Sequence, residues 1–442
     1  KLNAISGQAA KVTGSVFTPR FSGPVMRHIL DSSDTTWRTT KRVMLISEFL
    51  GLLATEKDAQ VLDESDGAGT NLFDLASGDL SEACVEALFG EEGGRAKEMV
   101  ASRLCSSDTV LGHVGPFFGS KFGLENDVKV VVGTGDNPSS FCSSNLGVGE
   151  LMISLGTSDT VLAVVSRKTG GKGVVSNFAD PRGPAAGDKS FVRMLCFANG
   201  GKTRQDYCSR YCGGDWGEFS KICEGGEQES WARGREAQRR WNLVVDTTEI
   251  TPPIPVGVYR SDASGRFSEV MRSGVQRQAE AEVRSLVETR LMSMHLNSQR
   301  AGMHDGSIKR VLVTGGGSKN CGVCQMIADC FECPVFVQSD GSGGASYGAA
   351  MRALWVTERQ GREDKSWAGV CGEAVEAGWK LACEPDVVSS ARVREERESY
   401  ERFEDEVVRL AKEKDKEESK KVETKKRLRT LGVAGVLGLG TA

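Results

Sequence analysis

Three short apolar runs, each ending on a glycine turn, constrain this chain more than any other feature. Residues 129–133 read KVVVG and lead into Thr134-Gly135-Asp136-Asn137-Pro138. Residues 150–156 read ELMISLG, turn through Thr157-Ser158-Asp159-Thr160, and resume as the apolar 161–165. Residues 310–313 end in Thr314-Gly315-Gly316-Gly317-Ser318, after which a helix is expected over 320–330 and another strand over 334–337. A strand, glycine turn, helix, strand order belongs to an α/β domain. The change of texture places a domain boundary near residue 130.

The rest of the chain is read against that α/β core. Residues 42–53 (RVMLISEFLGLL) are too apolar to be exposed on every side and predict a buried helix or strand. Val283, Leu286, Val287, Leu291 and Met294 fall on one stripe and predict an amphipathic helix over 280–295. Near the end, Val393, Tyr400, Phe403, Val407 and Leu410 recur at close to heptad spacing in a heavily charged stretch. That pattern predicts a closing helix on the domain surface. Residues 412–429 are nearly all charged and are expected to be solvated or frayed. The expected division is 1–130, 131–385 and a charged, helical, partly disordered tail over 386–442.

Bulk properties exclude several classes. A net charge of −4 offers no broad basic surface, so no nucleic-acid partner is expected. No apolar run approaches the roughly 20 residues needed to span a bilayer, so no membrane partner is expected. Thirteen cysteines in a chain of 442 residues are odd in number and dispersed, which fits a reduced, cytoplasmic protein better than a disulfide scaffold. Oligomeric state is not legible.

Two motif readings fail on inspection. Gly201-Lys202-Thr203 resembles the end of a phosphate-binding loop, but the position of its first glycine holds Cys196. Cys321, Cys324, Cys330 and Cys333 suggest paired zinc knuckles, yet only five residues separate the pairs and those read as helix. Cys324, Ile327 and Phe331 then share one face, so core packing is the simpler account and no metal site is assigned. The glycine turns carry more chemistry as a set. A strand ending in Gly-Thr-Ser can aim backbone N–H groups and hydroxyls at a phosphate. One ending in Thr-Gly-Gly-Gly and opening a helix lets an adenosine approach closely. An aspartate directly after a strand can act as a general base. Taken singly, each is commonly an ordinary turn.

Together the motifs identify the chain as resembling the FGGY family of sugar kinases, its xylulose kinase branch in particular. The resemblance rests on Thr13-Gly14-Ser15, Arg20-Phe21-Ser22-Gly23, the 63–72 segment DESDGAGTNL, the 134–139 segment TGDNPS and the 154–160 segment SLGTSDT. It continues through Leu195-Cys196-Phe197 with Asn199-Gly200, the 216–221 segment, the 249–252 segment EITP, and TGGGSKN at 314–320. At 339–350 the chain reads SDGSGGASYGAA, more glycine-rich than the family pattern.

The resemblance implies an actin-like, ribonuclease H-like two-domain fold, with sugar and ATP meeting between the domains. Residues 1–130 would be the later part of the N-terminal, sugar-binding domain and 131–385 the C-terminal, ATP-binding domain. The family's nucleotide hairpin is expected upstream of Lys1, so the first domain is expected to be incomplete, which leaves open whether these residues alone are active. The implied reaction is phosphoryl transfer from ATP, with Mg2+, to the terminal hydroxyl of D-xylulose. By the family pattern Asp136 takes the hydroxyl proton, while Asn137 and Arg20 hold sugar hydroxyls. Gly156 and Thr157 would face the phosphates, and Gly316, Gly317, Asn320 and Trp216 the adenosine. A kinase for another sugar such as ribulose, or a non-catalytic sugar- or nucleotide-sensing relative, would share most of this pattern.

Overall fold

The computed structural model describes residues 2–166, 175–183, 190–225, 241–261, 267–269, 279–338, 344–362 and 364–430. Residues 339–343 of the glycine-rich segment and 431–442 of the tail lie outside the described residues.

The first part of the chain is built of short helices. These are α1 (Leu2–Thr13), α2 (Ser22–Ser32), α3 (Asp34–Thr39), α4 (Ile46–Thr55), α5 (Glu64–Gly67), α6 (Glu82–Phe89), α7 (Gly93–Met99) and α8 (Pro116–Phe122). Two small sheets tie them together. One pairs β1 (Val61–Asp63) with β2 (Arg103–Cys105), and the other pairs β3 (Val110–His113) with β4 (Lys129–Val131). The short helix α9 (Asp136–Phe141) follows.

The second part is organised by a seven-stranded mixed sheet of order β14-β13-β12-β5-β6-β8-β7. Its strands are β5 (Leu151–Leu155), β6 (Asp159–Val165), β7 (Ser176–Ala179), β8 (Phe191–Phe197), β12 (Val311–Thr314), β13 (Val335–Gln338) and β14 (Trp379–Cys383). Strands β5, β12 and β13 run parallel, while β6, β8, β7 and β14 add antiparallel pairs at the two sides. A small antiparallel sheet of β9 (Trp241–Val245), β10 (Gly257–Ser261) and β11 (Phe267–Glu269) stands beside it. The helices of this part are α10 (Gly200–Tyr211), α11 (Trp216–Glu224), α12 (Ala279–Arg300), α13 (Cys321–Phe331), α14 (Ala345–Arg359), α15 (Trp367–Ala377) and α16 (Val387–Thr430).

Because side chains alternate along a strand, each strand of the large sheet serves two cores. Leu151, Ile153, Leu155, Val161, Ala163, Val311 and Val313 join one cluster with residues of α10–α13 and α16. Met152, Leu162, Val164, Val192 and Leu312 join the other, with Met26, Trp37, Leu72 and Phe141. A sheet covered on both faces explains why these runs read as continuously apolar rather than alternating.

Three expectations are changed by packing. The apolar 42–53 segment yields a helix only from Ile46, and it is not buried as expected. Ser47, Gly51 and Thr55 recur at four-residue spacing and turn inward, so the large side chains point the other way. Ile46, Phe49, Leu50 and Leu53 are 42–74% exposed. Helix α12 is not amphipathic but enclosed on almost every side, and several of its polar groups find partners inside the core. Arg290 pairs with Glu249 at 2.7 Å, while Ser293 and Asn297 donate to Glu404 of α16 at 2.7 and 3.0 Å. Helix α16, expected on the surface, is correspondingly sunk into the core: Tyr400 is 1% and Glu404 0% exposed. Burial raises the Glu404 carboxyl above its ordinary range, against the pull of Ser293, Tyr400 and Asn297. Among the described residues no helix is long and apolar enough to cross a membrane.

Near the end of α12, His295 and His304 lie ring to ring at 5.1 Å, and His295 also meets Phe331 edge-on at 5.4 Å. His304 accepts from Gly306 N through Nδ1 (3.2 Å) and reaches Ser298 Oγ through Nε2 (2.9 Å), an arrangement suited to a neutral ring. Burial pushes His295 down to about 3 and His304 down to about 4, with Arg397 opposing charge on both. An unfolded chain takes these protons near pH ~6.5, so below that pH unfolding is favoured by up to about 1.4 kcal/mol per pH unit per histidine. This stabilising term is present above pH ~6.5 and is lost progressively as pH falls toward the folded values. His295→Phe is therefore expected to flatten the fall in Tm on acidification, measured by thermal scans from about pH 7 to about pH 5.

Candidate active site

The predicted site residues gather at one edge of the seven-stranded sheet. The parallel β5, β12 and β13 all end there, β6 begins there, and β8 ends there, since Asp159 pairs with Phe197. In open α/β sheets this carboxyl edge is where ligands bind.

Gly156, Thr157 and Ser158 form the turn between β5 and β6, with Thr157 exposed. Helix α10 starts against this turn. Gly201 N donates to Thr157 O at 3.0 Å, and Asn199 N donates to Ser158 Oγ at 3.3 Å from a left-handed backbone (φ 52°). A side chain at Gly201 would collide with Gly156 O, so glycine permits the close approach. Behind the turn lies a buried pair: Arg204 places Nη1 and Nη2 at 2.8 and 2.7 Å from the two oxygens of Asp159. Glu249 adds a second brace, accepting from Ala198 N at 2.5 Å and from Arg290 at 2.7 Å.

The turn after β12 sits beside the first. Gly315 (φ 81°) has no room for a side chain, which would meet Leu155 O at 2.7 Å. Gly316 and Gly317 open a 3-10 turn, Gly316–Lys319. Asn320 caps α13 by accepting from Val323 N (2.9 Å), and its Nδ2 donates to Trp216 O at 3.4 Å. Trp216 begins α11, 41% exposed, with its ring 5.2 Å from that of Phe219. Thus Gly156, Thr157, Gly316, Gly317, Asn320 and Trp216 form one connected surface of backbone turns and a single aromatic face.

Asp136 and Asn137 lie at the start of α9, and the far end of that helix is fastened to the same edge. Gln338, the last residue of β13, donates to Ser143 Oγ at 3.4 Å, and Trp379 Nε1 donates to Ser143 O at 3.2 Å. Gly348 of α14 packs directly on Ser139 O. Asp136 is exposed, and its Oδ1 accepts from Asn137 N at 2.8 Å. Arg20, also exposed, lies against Cys196, one residue before the end of β8. Burial pushes the Cys196 thiol up, and the Arg20 guanidinium draws it part of the way back. No hydrogen bond or ion pair among the described residues joins Asp136 or Arg20 to the glycine turns.

Several supporting residues were not assigned from sequence. Asp63, Ser65 and Asp66 fall in the 63–72 segment noted above, and Glu249 in EITP, but nothing in either segment names its partner. Arg204 and Arg352 carried no signal, because their partners Asp159 and Asp63 are 45 and 289 residues away. Of the four clustered cysteines, Cys321 is exposed while Cys324, Cys330 and Cys333 are buried in the core that holds Ile327 and Phe331. Burial pushes the Cys324 and Cys333 thiols up to about 12.

A mixed sheet covered by helices on both faces, with glycine turns at its carboxyl edge, defines an actin-like, ribonuclease H-like fold. The chain belongs to the FGGY family of carbohydrate kinases: the model of that family's N-terminal domain matches residues 2–142, and that of its C-terminal domain matches residues 151–357. Xylulose kinase 2 of Arabidopsis thaliana is 32% identical over 373 residues, covering 81% of this chain and 62% of the relative. The xylulose kinase of Rattus norvegicus is 29% identical, covering 78% of this chain and 59% of the relative. The chain thus spans about three fifths of these curated relatives. Among solved structures, a ligand-bound xylulose kinase from Lactobacillus acidophilus aligns with a TM-score of 0.72 at 15% identity, over 93% of this chain and 77% of that one. Plasmodium falciparum glycerol kinase with ADP aligns at 0.69 and 14%, over 90% and 74%. At these identities the structures speak for the fold.

Proposed function

We propose that the protein transfers the γ-phosphoryl group of ATP to the terminal hydroxyl of D-xylulose, giving D-xylulose 5-phosphate and ADP. The observation that carries this reading is the gathering of two glycine turns, Trp216, Arg20 and the Asp136-Asn137 pair on one sheet edge in a chain whose curated relatives are xylulose kinases. Residues 1–130 supply part of the sugar-binding domain and 131–385 the nucleotide-binding domain.

The residues present fit a nucleotide. Gly156 in the 156–158 turn and Gly200 at the start of α10 carry no Cβ, and Gly316 has open space where a side chain would stand. Asn320 and Trp216 flank that space. ATP supplies the phosphoryl group, and Mg2+ offsets the phosphate charge. Asp136 accepts the proton as the sugar oxygen bonds to phosphorus and the bond to the ADP oxygen breaks. Asn137 and Arg20 hold the sugar hydroxyls so that the terminal one faces Asp136. Such catalysis is mostly positioning and charge stabilisation, so a site spread over several loops is adequate.

Product analysis tests this directly. The protein expressed from its complete gene, given ATP, Mg2+ and D-xylulose, is expected to yield a new phosphate monoester on the terminal carbon, seen by phosphorus NMR. ATP consumption without a sugar phosphate would contradict the reading.

A further inference from the structure

The turn that carries Asp136 rests on three side chains from elsewhere in the chain. A side chain at Gly133 would meet Ser47 at 3.1–3.3 Å, so this residue lies directly on α4. Thr134 Oγ1 and Ser65 Oγ are hydrogen-bonded at 2.7 Å. At Gly135 a Cβ would stand 2.9 Å from Asp66 Oδ1, which places the Asp66 carboxylate against the backbone of the residue preceding Asp136. Three successive turn residues therefore each meet one side chain of α4 or α5.

These side chains are themselves locked. Ser47 Oγ donates to Asp66 Oδ2. Asp63 caps α5, accepting from Ser65 N at 2.9 Å, Asp66 N at 3.3 Å and the Ser65 hydroxyl. The other Asp63 oxygen accepts from Arg352 Nη2 of α14 at 2.6 Å, and Arg352 also donates twice to Ser107 O (2.9 and 2.7 Å). Asp63 is 0% and Arg352 3% exposed, so the foundation of the turn is a buried ion pair.

We propose that Asp66 is a positioning residue for Asp136, holding the turn beneath it. The inference rests on the reading of Asp136 as the base. Removal from water pushes Asp66 up to about 6; Asp63 and Asp136 add to this, and the Ser47 hydroxyl and Arg352 oppose it. Glu48, on the same helix as Ser47, also feels Asp66 and is pushed up to about 7 by burial, with Arg42 drawing it down and Asp58 raising it. These are the charged groups that face Asp66 from α4, α9, α14 and β1. An ionised Asp66 accepts from the Ser47 hydroxyl and holds the turn under Asp136 in place. When Asp66 takes a proton, that hold is loosened.

The test uses the protein expressed from its complete gene, with kcat, KM and rate followed from about pH 5 to about pH 8. The wild type is expected to show an inflection near 6, the value to which Asp66 is raised. Asp66→Asn keeps the shape and the Ser47 contact but cannot titrate. It is expected to lose that inflection and about tenfold in kcat, with KM for ATP unchanged. Ser47→Ala removes the hydroxyl that holds Asp66 down and is expected to move the inflection to higher pH, a readout that a merely structural role would not shift. A wild-type rate and profile in Asp66→Asn, or an unmoved inflection in Ser47→Ala, overturns the inference. Asp136→Asn measured alongside separates the two readings. If it is inactive while Asp66→Asn behaves as wild type, only the positioning role falls. If Asp136→Asn is active, the base assignment falls and the positioning role with it.

Discussion

Asp136→Asn is expected to lower kcat by about 10² to 10⁴-fold while leaving the fold and ADP affinity intact. The structure isolates the chemical change unusually well. Asp136 opens α9 on the exposed side, and its Oδ1 accepts from Asn137 N at 2.8 Å. An asparagine oxygen can accept that same bond, so the helix start survives. Asp136 makes no ion pair among the described residues, and the surfaces around Gly316 and Trp216 belong to other elements. The substitution removes the negative charge and with it the ability to take a proton. Stopped-flow turnover with calorimetric ADP binding on the same preparation checks both halves. Normal turnover would show that another group takes the hydroxyl proton. Inactivity with lost ADP binding would instead show that the nucleotide surface depends on this turn.

The second large effect is on stability. Arg204→Met is expected to cost about 3–5 kcal/mol, because it strands a buried charge. Asp159 is 0% exposed and receives both ends of the guanidinium fork, at 2.8 and 2.7 Å. Gly200 packs directly on that carboxylate, so the pair also supports the start of α10. The loss should appear as a fall in Tm on the order of ten degrees. Arg204→Lys is expected to restore little, since an ammonium cannot span both oxygens. Replacing both partners with apolar residues should recover part of the loss. A Tm within a degree or so of wild type for Arg204→Met would mean that Asp159 is held by other groups or carries no charge.

Local chemistry was the legible part of this chain. Runs such as ELMISLG and RVLVTGGG announce strand and turn together, because apolar strands at a sheet centre must end where the backbone can reverse. Candidate site residues lie within those turns, and the family resemblance supplies their proposed roles. Orientation was not legible. Over 46–55 apolar content suggested burial, yet the small residues Ser47, Gly51 and Thr55 pack inward and the large ones face out. In α12 the stripe of valine and leucine was real, but the opposite face is equally enclosed, its polar groups paired with Glu249 and Glu404. Those pairings, like Asp159 with Arg204 and Asp63 with Arg352, join residues far apart in the chain. Nothing in a local period encodes them. They exist because the fold leaves buried charges that must be matched.

On the proposed function, this sheet edge phosphorylates a ketopentose at the expense of ATP. The most direct measurement is ADP release by the protein from its complete gene against D-xylulose, D-ribulose, an aldopentose and glycerol, each compared by kcat/KM. The highest value is expected with D-xylulose, and no release is expected without sugar. Preference for another sugar would keep the site but overturn the substrate, and no release with any of them would contradict the proposed function.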